Sequence, residues 1–340
     1  MSEFETRRAK ILAQIAQAHV DPEGLALDVF ECQYKYNKVY REFCDNLKVK
    51  PKSVNALKNI PFLPISVFKN HKVVTGNWDP VITFISSGTT GQVPSLHFVR
   101  DLQHYHDVCV SSFSHIYGSP EDYTWLALLP SYLERTGSSL VSMVNYFTTL
   151  SDRKHGFYLY NFEDLARKLE EAMRDNEKVV LIGVSFALFD FAEKYQIPLT
   201  DNIIVMETGG MKGRKEEMTR NELHDSLKVA FNCENIHSEY GMTELIHQFY
   251  APQNGIFHQG TLHRAMVRSI NDPLEIETEM ANGLLNIFDP GNIDSCSFIA
   301  TDDIATIHEN GSFEILGRSD NSEMRGCNLL YTDKGVITSD

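Results

Sequence analysis

Between Phe84 and Pro94 the chain reads Phe-Ile-Ser-Ser-Gly-Thr-Thr-Gly-Gln-Val-Pro, so Ser86, Ser87, Thr89 and Thr90 share one turn with Gly88 and Gly91 behind an apolar strand. That composition suits polyphosphate, because glycines let backbone amides approach an anion while hydroxyls donate to its oxygens. The mononucleotide P-loop needs Gly-Lys-Ser/Thr at its end, whereas Gln92-Val93 follows Gly91, which excludes a Walker-type reading. Four further segments carry chemistry-bearing residues: Glu207-Thr-Gly-Gly-Met-Lys-Gly213, His237-Ser-Glu-Tyr-Gly-Met-Thr-Glu244, Thr301-Asp-Asp-Ile-Ala305 and Gly317-Arg318. Each has a plain reading by itself. Asp303 reads equally as a turn residue, Arg318 as a surface cation, and Glu244 as a charge matching a helix N-terminus.

Taken in order, these segments resemble the core motifs of the adenylate-forming acyl and aryl ligases, which make acyl-AMP from a carboxylic acid and ATP. The resemblance implies a role for each segment, with ATP and Mg²⁺ as cofactors. Ser86, Ser87, Gly88, Thr89, Thr90 and Gly91 would hold the β- and γ-phosphates, Thr243 would contact the α-phosphate, and Glu244 would hold Mg²⁺. Tyr240 and Gly241 would place the adenine, with Gly209 and Gly210 turning against the purine. Asp303 would accept from the ribose hydroxyls, and Arg318 would lie near ribose and phosphate. The division is chemically sensible, since adenylation brings a carboxylate and a polyphosphate into line and must screen both anions.

A narrower resemblance rests on Pro61 to Val73, on Leu129-Pro-Ser-Tyr-Leu-Glu-Arg-Thr-Gly-Ser-Ser-Leu140, and on the tail Gly317-Arg-Ser-Asp-Asn-Ser-Glu-Met-Arg-Gly-Cys327. These are similar to segments of the acyl-protein synthetase family, the LuxE-type long-chain-fatty-acid ligases, over nearly the whole chain. The likeness implies a fatty-acid substrate, transfer of the acyl group to Cys327 as a thioester, and delivery to a protein partner such as an acyl reductase. Arg325 beside Cys327 would favour the nucleophilic thiolate. Two departures stand out: Ser95 follows Pro94 where the wider superfamily has lysine, and only 340 − 318 = 22 residues follow Arg318. The C-terminal lid domain carrying the adenylation lysine is therefore expected to be absent, with Lys69, Lys72 or Lys212 as weak substitutes for its charge. His71 and His237 flank two motifs and are read as structural. Two competing readings remain: an acid:CoA ligase of the phenylacetate type, and a subunit that binds nucleotide or acyl groups without catalysis.

The elements that must position these residues follow from periodicity. Helices are expected over Thr6–His19, Leu25–Leu47, Leu102–Tyr117, Glu163–Asn176, Phe186–Tyr195 and Glu216–Leu227. Strands are expected at Trp125–Leu129, Val179–Gly183 and Asn202–Met206, the alternation of a parallel sheet. Pro61 and Pro64 favour an extended path over 60–73. After residue 255, short strands at Leu284–Phe288, Ser297–Ala300 and Phe313–Leu316 are separated by Asn-Gly and Asp-Pro-Gly turns. The expected fold class is α/β: the large domain of an adenylate-forming enzyme, with parallel or mixed sheets over 1–255, and a small β-rich subdomain and cysteine-bearing tail over 256–340. A net charge of −15 argues against broad binding to nucleic acid. Six scattered cysteines without a C-x-x-C pair suggest neither a zinc site nor a disulfide framework. The charged N-terminus and the absence of an apolar run of roughly 20 residues predict a cytoplasmic protein with no signal peptide and no membrane span.

Overall fold

The computed structural model describes residues 2–17, 20–87, 93–130, 137–209, 218–270 and 282–319. Helices α1 (Glu3–Ile15), α2 (Pro22–Tyr36) and α3 (Lys38–Asn46) begin at Ser2, Asp21 and Asn37, whose side chains accept from first-turn amides. The single helix expected over Leu25–Leu47 is broken at Asn37, which has φ −101° and ψ 108°. Its Oδ1 accepts from the Tyr40 amide at 3.0 Å and its Nδ2 donates to the Ser295 carbonyl at 2.9 Å. Capping and a distant tertiary bond together outweigh helix continuation. The segment expected to be extended contains strand β1 (Leu63–Pro64) and then turns into the short helix α4 (Val67–Asn70).

A hairpin of β2 (Ile82–Ile85) and β3 (Leu96–Val99) leads into α5 (Leu102–Tyr117), which Asp101 caps and Gly118 stops at φ +80°. Then follow β4 (Thr124–Leu128), α6 (Ser139–Thr148), β5 (Gly156–Tyr158), α7 (Phe162–Arg174), β6 (Val179–Val184) and α8 (Ser185–Lys194). The alternation ends with β7 (Ile203–Thr208), α9 (Arg220–Phe231), β8 (His237–Tyr240) and β9 (Phe249–Ala251). These strands form one sheet in the order β5-β4-β6-β7-β8-β9, parallel throughout except for the antiparallel β8–β9 pair. Every residue of β4 and β6 is buried, as expected of strands covered on both faces by crossover helices.

The β-rich part comprises β10 (Ile256–Phe257), β11 (Arg264–Arg268), β12 (Asn282–Phe288), β13 (Phe298–Ile307) and β14 (Phe313–Arg318), ordered β10-β14-β13-β12-β11. Strand β13 runs well past the expected Ala300. It pairs in parallel with β1, Leu63 opposite Ile299, which ties the N-terminal segment to this sheet. Two hydrophobic cores result. One gathers Phe113, Trp125, Phe147, Leu181 and Phe191 around the parallel sheet, and the other joins Phe30, Tyr40 and Phe62 of the N-terminal segment to Phe288 and Phe298. Among the described residues, no helix is long and apolar enough to cross a membrane.

Candidate functional site

The fold brings several of the singled-out residues to the carboxyl ends of β7 and β8, the edge where open α/β sheets bind ligands. Gly209 follows β7 directly with φ +75°, a conformation that favours glycine. At the end of β8 the Tyr240 hydroxyl donates to Asp303 Oδ2 at 2.6 Å. Asp303 faces Arg318 across the β13–β14 register, with Arg318 Nε 4.0 Å from Asp303 Oδ1. Tyr240, Asp303 and Arg318, separated by up to 78 positions in sequence (318 − 240), thus form one cluster of ring, carboxylate and half-exposed guanidinium.

Glu244 lies in the loop beyond β8 and is only 4% exposed. Burial raises its carboxyl above the ordinary range, against the lowering effect of the neighbouring Ser95, Arg318 and Lys69. Ser95, the residue that departs from the superfamily lysine, therefore stands next to the carboxylate expected to bind metal. No ion pair to Glu244 occurs within 4.0 Å among the described residues. A buried carboxylate without an ion pair among the described residues has the chemistry of a hard-cation ligand. Among the described residues, no group of three or more His, Cys, Asp and Glu side chains is arranged around a metal position.

At the neck of the β2–β3 hairpin, the Ser86 amide donates to the Ser95 carbonyl at 3.1 Å, and the Ser95 amide donates to Ser86 Oγ at 2.8 Å. The Ser86 hydroxyl is an acceptor in this pair, and the exposed Ser87 stands next to it. Gly88, Thr89, Thr90, Gly91, Gly210, Lys212 and Cys327 lie outside the described residues. Of the flanking groups, Lys72 lies over the Phe98 ring, His71 is exposed, and His237 Nδ1 accepts from Tyr117 at 3.1 Å. Burial lowers the His237 pKa to about 4, so it is a neutral structural imidazole.

Sequence reasoning passed over Glu239, whose carboxylate accepts from the Thr208 hydroxyl beneath Gly241. A Cβ on Gly241 would sit 2.5 Å from Glu239 Oε1, which is why this position takes glycine. Burial lifts the Glu239 pKa from 4.5 to about 7, with Thr208 opposing and neighbouring Glu207 adding to the rise. The folded state therefore holds a proton that the unfolded chain releases above pH 4.5. This contribution is full below 4.5 and is lost as pH rises through about 7. Glu239→Gln is expected to flatten the decline and to leave the variant about 2 kcal/mol more stable than wild type at pH 8. Urea unfolding at pH 5 and pH 8 checks this, and parallel declines in the two proteins would refute it.

Beside the loop opens a cavity of about 1080 Å³ lined by the apolar Ile15, Val108 and Leu262 and by the polar Asp101, Asp107 and His247. It shares His247 with the Glu244 loop, while Ser86, Tyr240, Asp303 and Arg318 all lie outside its lining.

A family model described as acyl-protein synthetase, LuxE, matches residues 17–116 and 130–335, most of the chain. The chain belongs to the LuxE acyl-protein synthetase family. Two LuxE-type relatives are named long-chain-fatty-acid–luciferin-component ligase. The one from Photorhabdus luminescens is 39% identical over 74 residues, 21% of this chain and 63% of its own length. The one from Aliivibrio fischeri is 22% identical over 342 aligned residues, 90% of this chain and 86% of its own. Among solved structures, 2-hydroxyisobutyryl-CoA ligase in complex with 2-HIB-AMP and CoA superposes with TM-score 0.61 at 12% identity, covering 88% of this chain and 70% of that one. ATP-bound MatB from Rhodopseudomonas palustris gives 0.54 at 15%, covering 73% and 50%. The chain thus spans less than two thirds of the Photorhabdus relative and half of MatB. At these identities the structural likeness shows the fold, that of an adenylate-forming ligase large domain.

Proposed function

We propose that this LuxE-family chain is an ATP-dependent acyl-protein synthetase that activates a carboxylic acid, in keeping with its relatives a fatty acid. A carboxylate oxygen attacks the α-phosphorus of ATP, the bond to the β-phosphate breaks, and pyrophosphate leaves. The Cys327 thiolate then adds to the acyl carbonyl, AMP departs, and the thioester is passed to a protein partner such as an acyl reductase. The observation that carries the reading is Glu244: buried, without an ion-pair partner among the described residues, and next to Ser95 at the neck of the phosphate-loop hairpin.

Thr243 stands beside Glu244 for the α-phosphate, Ser86 and Ser87 begin the phosphate loop, and Tyr240, Asp303 and Arg318 offer ring, acceptor and cation to the nucleoside. Glu244 would hold Mg²⁺, which when bound neutralises phosphate charge and favours pyrophosphate as leaving group. In the same proposal the chain divides into an α/β unit, 1–255, and a β-rich unit with tail, 256–340. Helices α2 and α3 share a core with the second unit. A cytoplasmic location agrees with this chemistry.

Carboxylate-dependent ATP–pyrophosphate exchange, run over acids from acetate to palmitate and over aryl acids, tests the activation step. Absence of exchange with every acid counts against it. The cavity beside the loop is assigned to the acyl chain. Leu262→Trp, at a half-buried position in its wall, should raise the KM for palmitate about tenfold while leaving that for acetate unchanged. Equal effects on both acids would remove the chain from this cavity.

A further inference from the structure

The loop carrying Thr243 and Glu244 has four of its backbone polar groups bound by three buried side chains from elsewhere in the fold. His97 Nδ1 donates to the Thr243 carbonyl at 2.7 Å, and Asn292 Nδ2 donates to the Glu244 carbonyl at 2.7 Å. Asp289 Oδ2 accepts from the Ile246 and His247 amides at 2.7 and 3.1 Å, while Asp289 Oδ1 meets His247 Nδ1 at 2.6 Å. His97 Nε2 lies 3.0 Å from Asn292 Oδ1, a close approach without a proton between them in the neutral ring that burial favours. His97, Asp289 and Asn292 are each no more than 1% exposed.

The arrangement is more specific than a turn that satisfies its own backbone. Asp289 and Asn292 come from the Asp-Pro-Gly-Asn connection between β12 and β13, and His97 comes from β3. Ser95 precedes His97 by two positions and so points to the same side of the extended segment. Ser95 neighbours the Glu244 side chain, and His97 holds the carbonyl immediately before Glu244. Gly291 leaves room for the His247 ring, since a Cβ there would sit 2.9 Å from its Cε1. His104 Nε2 donates to the Gly291 carbonyl at 2.8 Å and pins the turn to α5.

We infer that His97, Asp289 and Asn292 are positioning residues that fix Thr243 and Glu244 against the phosphate-loop hairpin. The inference rests on the adenylation reading for what Thr243 and Glu244 do, while the clamp itself acts only through the backbone of their loop. Partners that orient metal ligands without touching the metal change affinity or rate by roughly 10–100-fold when removed.

The test uses the full chain and the exchange assay with Asn292→Asp, His97→Ala and His97→Asn. Asn292→Asp keeps size but loses the donor to the Glu244 carbonyl. Its kcat should fall roughly 10–100-fold, with a several-fold higher Mg²⁺ concentration at half-maximal rate and an unchanged KM for the acid. His97→Ala should behave likewise, whereas His97→Asn, whose amide can replace Nδ1, should recover most of the rate. A lower melting temperature with wild-type Mg²⁺ dependence in the folded fraction would make the network merely structural and overturn the inference. So would equal rates for His97→Ala and His97→Asn. Should wild type show no exchange with any acid, the adenylation reading falls, and the clamp is then judged by calorimetry of Mg²⁺-dependent ATP binding in the same variants. Equal affinities across the set, or no ATP binding by wild type, would overturn it as well.

Discussion

Glu244→Gln is expected to lower carboxylate-dependent ATP–pyrophosphate exchange by about 10²–10³-fold, the usual cost of losing one group that stabilises transition-state charge. Glutamine preserves size and an acceptor next to Ser95, so the change removes charge and little else. Its effect should concentrate in kcat and in the Mg²⁺ requirement, and excess Mg²⁺ should restore activity only partly. The protein should not be weakened by the substitution. Burial raises the Glu244 pKa above its value of 4.5 in the unfolded chain, so ionisation disfavours the folded state as pH climbs past 4.5. Glutamine removes that penalty, and the melting temperature at pH 7.5 should hold or rise. A protein needing Glu244 only for folding would show the reverse, a lower melting temperature with exchange within about threefold of wild type per folded molecule.

What the sequence made legible is what local rules govern. Helix α5 occupies Leu102–Tyr117 as expected because its signals are local: Asp101 caps its start and Gly118 ends it. The break at Asn37 was missed although asparagine is a preferred cap, because Leu25, Val29, Tyr36, Tyr40 and Phe43 continue a helical pattern across it. The deciding bond runs to the Ser295 carbonyl, 258 positions away. The site shows the same division. Tyr240, Asp303 and Arg318 were singled out by motif, yet that they touch depends on the β13–β14 register, which places Asp303 opposite Arg318. Ser95 was noted only as a substitution for lysine, and its place next to Glu244 depends on how the hairpin packs on the loop. His97 belongs to no motif, and Asp289-Pro-Gly-Asn292 reads as a turn because that is what its composition encodes. The work these four side chains do is fixed by tertiary convergence and carries no short-range pattern.

Cys327→Ser is expected to abolish covalent labelling of the protein by a radioactive acid and ATP while leaving pyrophosphate exchange within about twofold of wild type, since adenylation precedes the thiol step. The other five cysteines help to isolate the expectation. Burial pushes the Cys32 thiol up to about 11 and that of Cys44 to about 12, and it raises Cys109, Cys233 and Cys296 as well. A thiol held that high is almost wholly protonated near neutral pH and is a poor nucleophile toward an acyl-adenylate. Cys327 has Arg325 two positions before it in sequence, and on the proposed reading that cation would lower the cost of the thiolate. The chemistry of the label decides between outcomes. A thioester is cleaved by neutral hydroxylamine, whereas an oxygen ester on the new serine would resist it. Hydroxylamine-labile label persisting in Cys327→Ser would place the acyl group on another cysteine. Loss of exchange together with label would mean that the tail contributes to the adenylation site itself.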